Sequence, residues 1–178
     1  VLALAKKDTA IPCDQLLGQP ATVLAKVAGG PDRYLTGILW SMTRERGDDD
    51  FDHYTLVLRP PLDRLGLTKR TRLFEDASAL DILSTLLGPV GGMENRISRS
   101  VARRAYCAQY RETDLEFFFR LCSEEGISFY WRHEAPWTEQ VEDREVYHPP
   151  AAILVLTDNT TLGEPAMTIP FDPRDGGT

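Results

Sequence analysis

Three cysteines, at positions 13, 107 and 122, are too few and too unevenly spaced for a disulfide framework, and their scarcity points to a reducing compartment. No apolar run approaches the ~18 residues of a membrane-spanning helix, and the first residues do not read as a secretory signal. Positive charge is also short. Lys and Arg number 20 against 27 Asp and Glu, and the net charge of −7 excludes a general nucleic-acid binder. The phosphate-cradling G-x-G-x-x-G and Walker loops are missing, as is the G-x-S-x-G nucleophile elbow. The three histidines, His53, His133 and His148, are never four residues apart, and no cysteine stands at metal-ligand spacing.

What is present supports a packed core: 42% of residues are hydrophobic, enough to exclude disorder. The chain is organised around residues 106–131, YCAQYRETDLEFFFRLCSEEGISFYW. The aromatic run 106–110 suits a strand. Thr113, Asp114, Leu115 and Glu116 form a capping box, in which the threonine hydroxyl and the glutamate carboxylate each accept from the other's backbone N–H. Leu115, Phe118, Phe119 and Cys122 follow at helical spacing, widened by Phe117 and Leu121, so the helix is too apolar to sit on a surface. Gly126 suits a left-handed helix stop. Ile127, Phe129 and Trp131 then alternate with polar residues as a strand.

Upstream, strands are expected over 1–5, 21–27, 34–43 and 54–58. The turn at 16–20, the hairpin loop at 28–32 and the turn at 47–50 separate them, and the last three strands form an antiparallel meander. Gly37 inside a strand marks a bulge or a close backbone approach. Pro60 and Pro61 end the meander, and Leu62, Leu65 and Leu67 fold over a barrel end. A short extended piece covers 71–75. Ser78 caps a second helix whose stripe is Leu80, Leu83, Leu86 and Leu87, stopped by Gly88-Pro89. Residues 95–101 read as a strand, 134–150 as a long surface loop, 153–156 as a strand, and Asp158-Asn159 as a turn.

No set of residues reads as a catalytic, cofactor-binding or metal site. Asp48, Asp50 and Asp52 alternate as in a calcium loop, but His53 and Arg59 occupy the positions that need glycine and a bidentate glutamate. Glu124 and Glu125 are adjacent on a helix and do not face each other. Cys107 and Cys122 are the available thiols for a Cys–His site, yet Cys122 lies on the apolar face, where cysteine acts as a small hydrophobe. Arg96, Arg99, Arg103 and Arg104 form a basic cluster suited to a solvated strand edge, or to phosphate or an acidic partner. The acidic stretch 139–145 has the opposite sign and suits a subunit contact.

Several runs together resemble the VgrG spike proteins of type VI secretion. Gln109-Tyr110-Arg111-Glu112-Thr113-Asp114 with Phe117, Arg120-Leu121, and Glu124-Glu125-Gly126-Ile127 with Tyr130 are similar to that family's pattern. In order with them are Leu16-Leu17-Gly18-Gln19-Pro20-Ala21, Arg33-Tyr34 with Gly37-Ile38, Leu58-Arg59-Pro60, Leu73-Phe74-Glu75-Asp76 and Asp81-Ile82-Leu83. Thr113 stands where the family has serine, Pro61 departs after the L-x-P turn, and 134–150 is longer and more acidic than usual. Residues 166–170 match only faintly.

The resemblance implies a scaffold: the hub region of a spike that joins tube to needle in a contractile injection machine, with a phage or prophage tail baseplate hub as the alternative. A hydrolase with an unrecognised carboxylate site is the rival of another class. The implied partners are two further copies, as a homotrimer of the full-length protein, plus the tube protein and needle-tip or effector proteins. Nucleic acid and direct membrane insertion by this region are not implied. The protein is expected in the cytoplasm before assembly and secreted through the apparatus. The expected fold class is α+β, mainly antiparallel β, with barrel-like hub units and two short helices. The expected division is 1–89, a β-barrel-like unit; 90–159, a strand–helix–strand unit with an acidic loop; and 160–178, a tail toward a missing C-terminal part. Val1 in place of methionine also predicts a segment of a longer protein.

Overall fold

The β-forming runs either side of the Gly47–Asp50 turn pair with each other in the computed structural model, which describes residues 1–7, 9, 11–26, 30–141 and 144–159. In chain order come β1 (Leu2–Lys6), a single helical turn α1 (Cys13–Leu16), β2 (Pro20–Ala25), β3 (Arg33–Glu45) and β4 (Phe51–Arg59). A 3-10 turn, Pro61–Leu67, leads to β5 (Lys69–Ser78), α2 (Ala79–Leu87) and β6 (Glu94–Arg96). Then follow β7 (Arg103–Thr113), α3 (Asp114–Glu125), β8 (Ser128–Glu134), β9 (Trp137–Val141), β10 (Arg144–His148) and β11 (Ala151–Thr157). The class is α+β and mainly antiparallel.

The meander is present as a four-stranded sheet of order β1-β4-β3-β2, with β1 and β2 as its edges. A Cβ on Gly37 would stand 2.8 Å from the Arg59 carbonyl oxygen, so the glycine marks a close backbone approach. The bulge itself falls three residues later, between Leu39 and Ser41. Its product is a re-aimed Trp40, whose ring lies 4.9 Å from the Arg59 guanidinium. The hairpin loop expected at 28–32 lies partly outside the described residues, as does the last part of the strand expected to reach Val27.

The core lies in the rest of the chain. α2 and α3 bury Ile82, Leu83, Phe117, Phe118 and Leu121 against each other and against Leu154 and Leu156 of β11. Leu62 and Leu65 enter this same core rather than covering a barrel end, and Leu67, expected beside them, is 68% exposed. α3 also reaches the surface: Phe119 is largely exposed and packs edge-on to Phe118 at 5.6 Å and beside Phe129, itself partly exposed, at 5.8 Å. β5 pairs antiparallel with β7, so ladder bonds cross the division expected after residue 89. β11 lies between β8, antiparallel, and β6, parallel.

Two sequence expectations are corrected here. The strand at 95–101 is confined to Glu94–Arg96, because the amides of Ser98 and Arg99 donate instead to the Asp158 carboxylate at 3.0 and 3.1 Å. The loop at 134–150 is a β-ribbon, β9 paired with β10. Its described side chains are exposed or half-buried, so its hydrophobic pattern has no core side to reveal the alternation. The expected tail, 160–178, lies outside the described residues.

Both capping boxes are formed. Thr113 Oγ1 accepts from the Glu116 amide at 3.1 Å, and Glu116 accepts from the Thr113 amide at 2.7 Å. Ser78 and Asp81 do the same at 3.2 and 2.9 Å. Gly126 stops α3 at φ +62°, a region where L side chains are strained. Thr113→Ala should lower stability by about 1 kcal/mol, while Thr113→Ser should keep most of it; urea denaturation midpoints of the two variants check this.

Candidate functional site

The motif Gln109–Asp114 is where β5, β7 and the start of α3 meet. Gln109 is fully buried, and an uncharged amide in that position needs partners for both its ends. Its Oε1 accepts from Arg72 Nε at 2.8 Å. Its Nε2 donates to Asp114 Oδ1 at 2.8 Å and to the Glu112 carbonyl at 3.1 Å. Arg72 Nη2 closes the triangle on Asp114 Oδ1 at 2.7 Å, and Arg70 Nε lies 3.5 Å from the other carboxylate oxygen. The same Asp114 sits in the first turn of α3, where negative charge suits the helix dipole. Sequence reading found the cap and missed this network, because Arg72 arrives from a strand that is distant in sequence.

A second lattice of charges covers the other end of α3. Arg104 donates to Glu124 at 2.6 Å and to Glu125 at 2.7 Å, and Arg120 bridges Glu112 at 2.6 Å and Glu124 at 3.0 Å. Glu125 and then Glu124 raise the Arg104 pKa, and Arg104 ahead of Arg120 holds the Glu124 carboxyl below its ordinary value. The rest of the basic cluster is also engaged within the chain: Arg96 with Glu94, Arg99 with Glu125, and Arg103 with Asp76 and Asp81. Each arginine of the cluster 96–104 thus has a carboxylate of its own chain beside it.

The remaining sequence candidates do not converge. Asp48 accepts from the amides of Asp50 and Phe51 in a turn, and Asp52 is buried against Arg44, both carboxylate oxygens at 2.8 Å. His53 stands 3.5 Å from Asp48, and His148 bonds Glu139 at 3.0 Å. Among the described residues no group of three or more His, Cys, Asp or Glu side chains can hold a metal ion, and no helix is long and apolar enough to cross a membrane. The cysteines are free, and burial pushes the Cys122 thiol up to about 12, which leaves it protonated and unreactive at neutral pH. A cleft of about 760 Å³ runs between Pro20, Thr36, Pro89 and Pro149. Arg64 is its one ionisable residue among those described, and its guanidinium donates to the Gly18 carbonyl.

His133 has a different part. It lies on β8, and its Nδ1 accepts the Thr36 amide of β3 at 3.1 Å, a link between the four-stranded sheet and the three-stranded one. Only an unprotonated Nδ1 can accept, and desolvation indeed holds this imidazole below its ordinary value of 6.5.

This is the architecture of an antiparallel-β structural module in which ion pairs at both ends of α3 tie strand to helix. The chain belongs to the phage tail baseplate hub (GPD) family, whose model matches residues 1–178. It is 36% identical over 135 residues to the type VI secretion system spike protein VgrG1c of Pseudomonas aeruginosa, covering 75% of this chain and 19% of that protein. It is 34% identical over 136 residues to the spike protein VgrG3 of Vibrio cholerae, covering 74% of this chain and 13% of that protein. The chain thus spans about a fifth or less of these curated relatives. Its fold matches the E. coli c3393 protein, a component of the type VI secretion system with structural similarity to the T4 bacteriophage tail proteins gp27 and gp5. The TM-score is 0.73 at 19% identity, over 92% of this chain and 42% of that one.

Two variants test these roles. Gln109→Leu leaves Arg72 and Asp114 short of a buried partner and should cost roughly 1–3 kcal/mol in chemical denaturation. His133 should titrate below 6.5 by NMR. Because folding lowers its pKa, its contribution is complete above 6.5 and is lost as the pH falls toward the folded value. Between about pH 7.5 and about pH 5, stability should fall more for the native chain than for His133→Gln, whose amide oxygen accepts at either pH.

Proposed function

We propose that this chain is the hub region of a type VI secretion spike, the part that joins tube to needle in a contractile injection machine. The observation that carries the proposal is the 36% identity with a curated spike protein over three quarters of the chain. In this reading the protein assembles as a homotrimer, meets the tube protein on one side and needle-tip or effector proteins on the other, and is held in the cytoplasm until export. The region contributes scaffold and no catalytic, cofactor or metal residue. In this reading residues 1–89 and 90–159 are the two hub units, tied together by the β5–β7 ladder.

Surface composition supports an assembly part. Leu2, Leu4, Leu35 and Val57 are exposed on the four-stranded sheet, and exposed apolar side chains there suit a surface that a partner covers. A phage or prophage tail hub is the second reading, favoured by the family model itself. Light scattering on the protein as expressed from its gene should give three times its chain mass. Deleting that gene should stop export of the tube protein. A stable monomer at micromolar concentration removes the hub reading, and trimers without any effect on export favour the phage tail.

A further inference from the structure

Two surface features have no counterpart inside the chain. One is the β9–β10 ribbon, whose strands pair only with each other among the described residues. A two-stranded hairpin alone is marginal in water, and it needs further strands or a packed face. One face of the ribbon satisfies itself: Trp137 stacks on His148 at 3.9 Å, and His148 bonds Glu139. The opposite face carries Glu145 and Tyr147, with Gln140 and Thr138 across from them. Tyr147 is 62% exposed, and neither its side chain nor that of Glu145 has a hydrogen bond or ion pair among the described residues.

The other feature is the outer side of the β5–β7 pair. Tyr106 and Tyr110 are 70% and 66% exposed there, with Leu73 also exposed between them. At one end Lys69, Arg70, Thr71 and Arg111 line a hollow of about 380 Å³. The ladder slips between Arg70 and Arg72, so an extra residue is accommodated opposite Thr71. Arg111 takes up the slip at φ +52°, a conformation that non-glycine residues avoid, and its amide donates to Thr71 Oγ1 at 3.3 Å. Bulges of this kind re-aim side chains at functional surfaces. The guanidinium rests 5.3 Å from the Tyr110 ring and forms no ion pair among the described residues. Within Gln109–Asp114 the other four residues hold strand, turn and helix together, and Tyr110 and Arg111 alone face outward.

We propose that the Glu145–Tyr147 face of one copy's ribbon docks on the Tyr110–Arg111 corner of a second copy. Glu145 faces Arg111, and Tyr147 packs on Tyr110 and Tyr106. The proposal rests on the trimeric reading above and names the surfaces that make the trimer. The charges are complementary, and Tyr and Arg are the residue types that dominate such interfaces. The two surfaces differ, so the contact is heterologous and can close a ring. Each copy then gives the ribbon of its neighbour the packed face that its own fold withholds.

The test uses the protein as expressed from its gene, with Cys13→Ser to remove the partly exposed native thiol. Chains carrying Arg111→Cys and chains carrying Glu145→Cys are mixed under mild oxidation. A mixed disulfide dimer should form in clear excess over either variant alone, and one chain carrying both changes should give a ladder ending at three. Separately, Arg111→Glu and Glu145→Arg should each weaken association at least tenfold, and the two together in one chain should restore it. No mixed disulfide, or association unchanged in both charge variants, overturns the docking. If light scattering still gives a trimer in that case, the hub reading stands without this interface. A native monomer brings down both.

Discussion

One buried amide sets the geometry of the larger part of this protein. Gln109 has no exposed surface, and its two ends reach Arg72 on one strand and Asp114 at the head of a helix. An amide cannot exchange those partners without leaving a donor or an acceptor unmet in a place that water does not reach. The register of β5 on β7 and the direction in which α3 departs are therefore fixed together. From that departure follows the rest: Phe117, Phe118 and Leu121 meet α2, and the Gly126 stop returns the chain as β8.

The two parts of the chain are stabilised by different means. Residues 61–159 bury a shared apolar core between helices and strands. The four-stranded sheet buries Ile38, Leu39 and Tyr54 and leaves much of its leucine and valine exposed. Its cohesion is chiefly ladder hydrogen bonds, a close Gly37–Arg59 approach and the Arg44–Asp52 pair. A sheet of that kind is well suited to covering by something else, which fits a component of a larger machine better than a free-standing enzyme.

Local chemistry was legible in the sequence; long-range chemistry was not. Thr113, Ser78 and Gly126 could be read because caps and stops depend on residues three or four apart. The meander was legible because its turns are short and rich in glycine and aspartate. The ribbon at 137–148 was hidden because alternation announces a strand only when one side is buried. The basic cluster looked available because its carboxylate partners, Asp76, Glu94 and Glu125, are brought to it by folding, most of them from other elements. The apolar stripe of Leu62 and Leu65 was seen, but its destination depended on helix packing that no local spacing encodes.

The position of β11 carries a consequence for how the chain is made. This strand lies between β6 and β8, and it supplies Leu154 and Leu156 to the core around α2 and α3. Both helices leave the ribosome well before it does. Until residues 151–157 emerge, β6 lacks the one neighbour it has among the described residues, and the helix pair lacks one wall. Closing that sheet joins segments some sixty residues apart, as Ser98 and Asp158 also are. Such distant pairings form late, after the entropy of the intervening loop has been overcome. The nascent module thus passes through a stage with a sticky, half-walled core, and its last described strand acts as the latch that ends it.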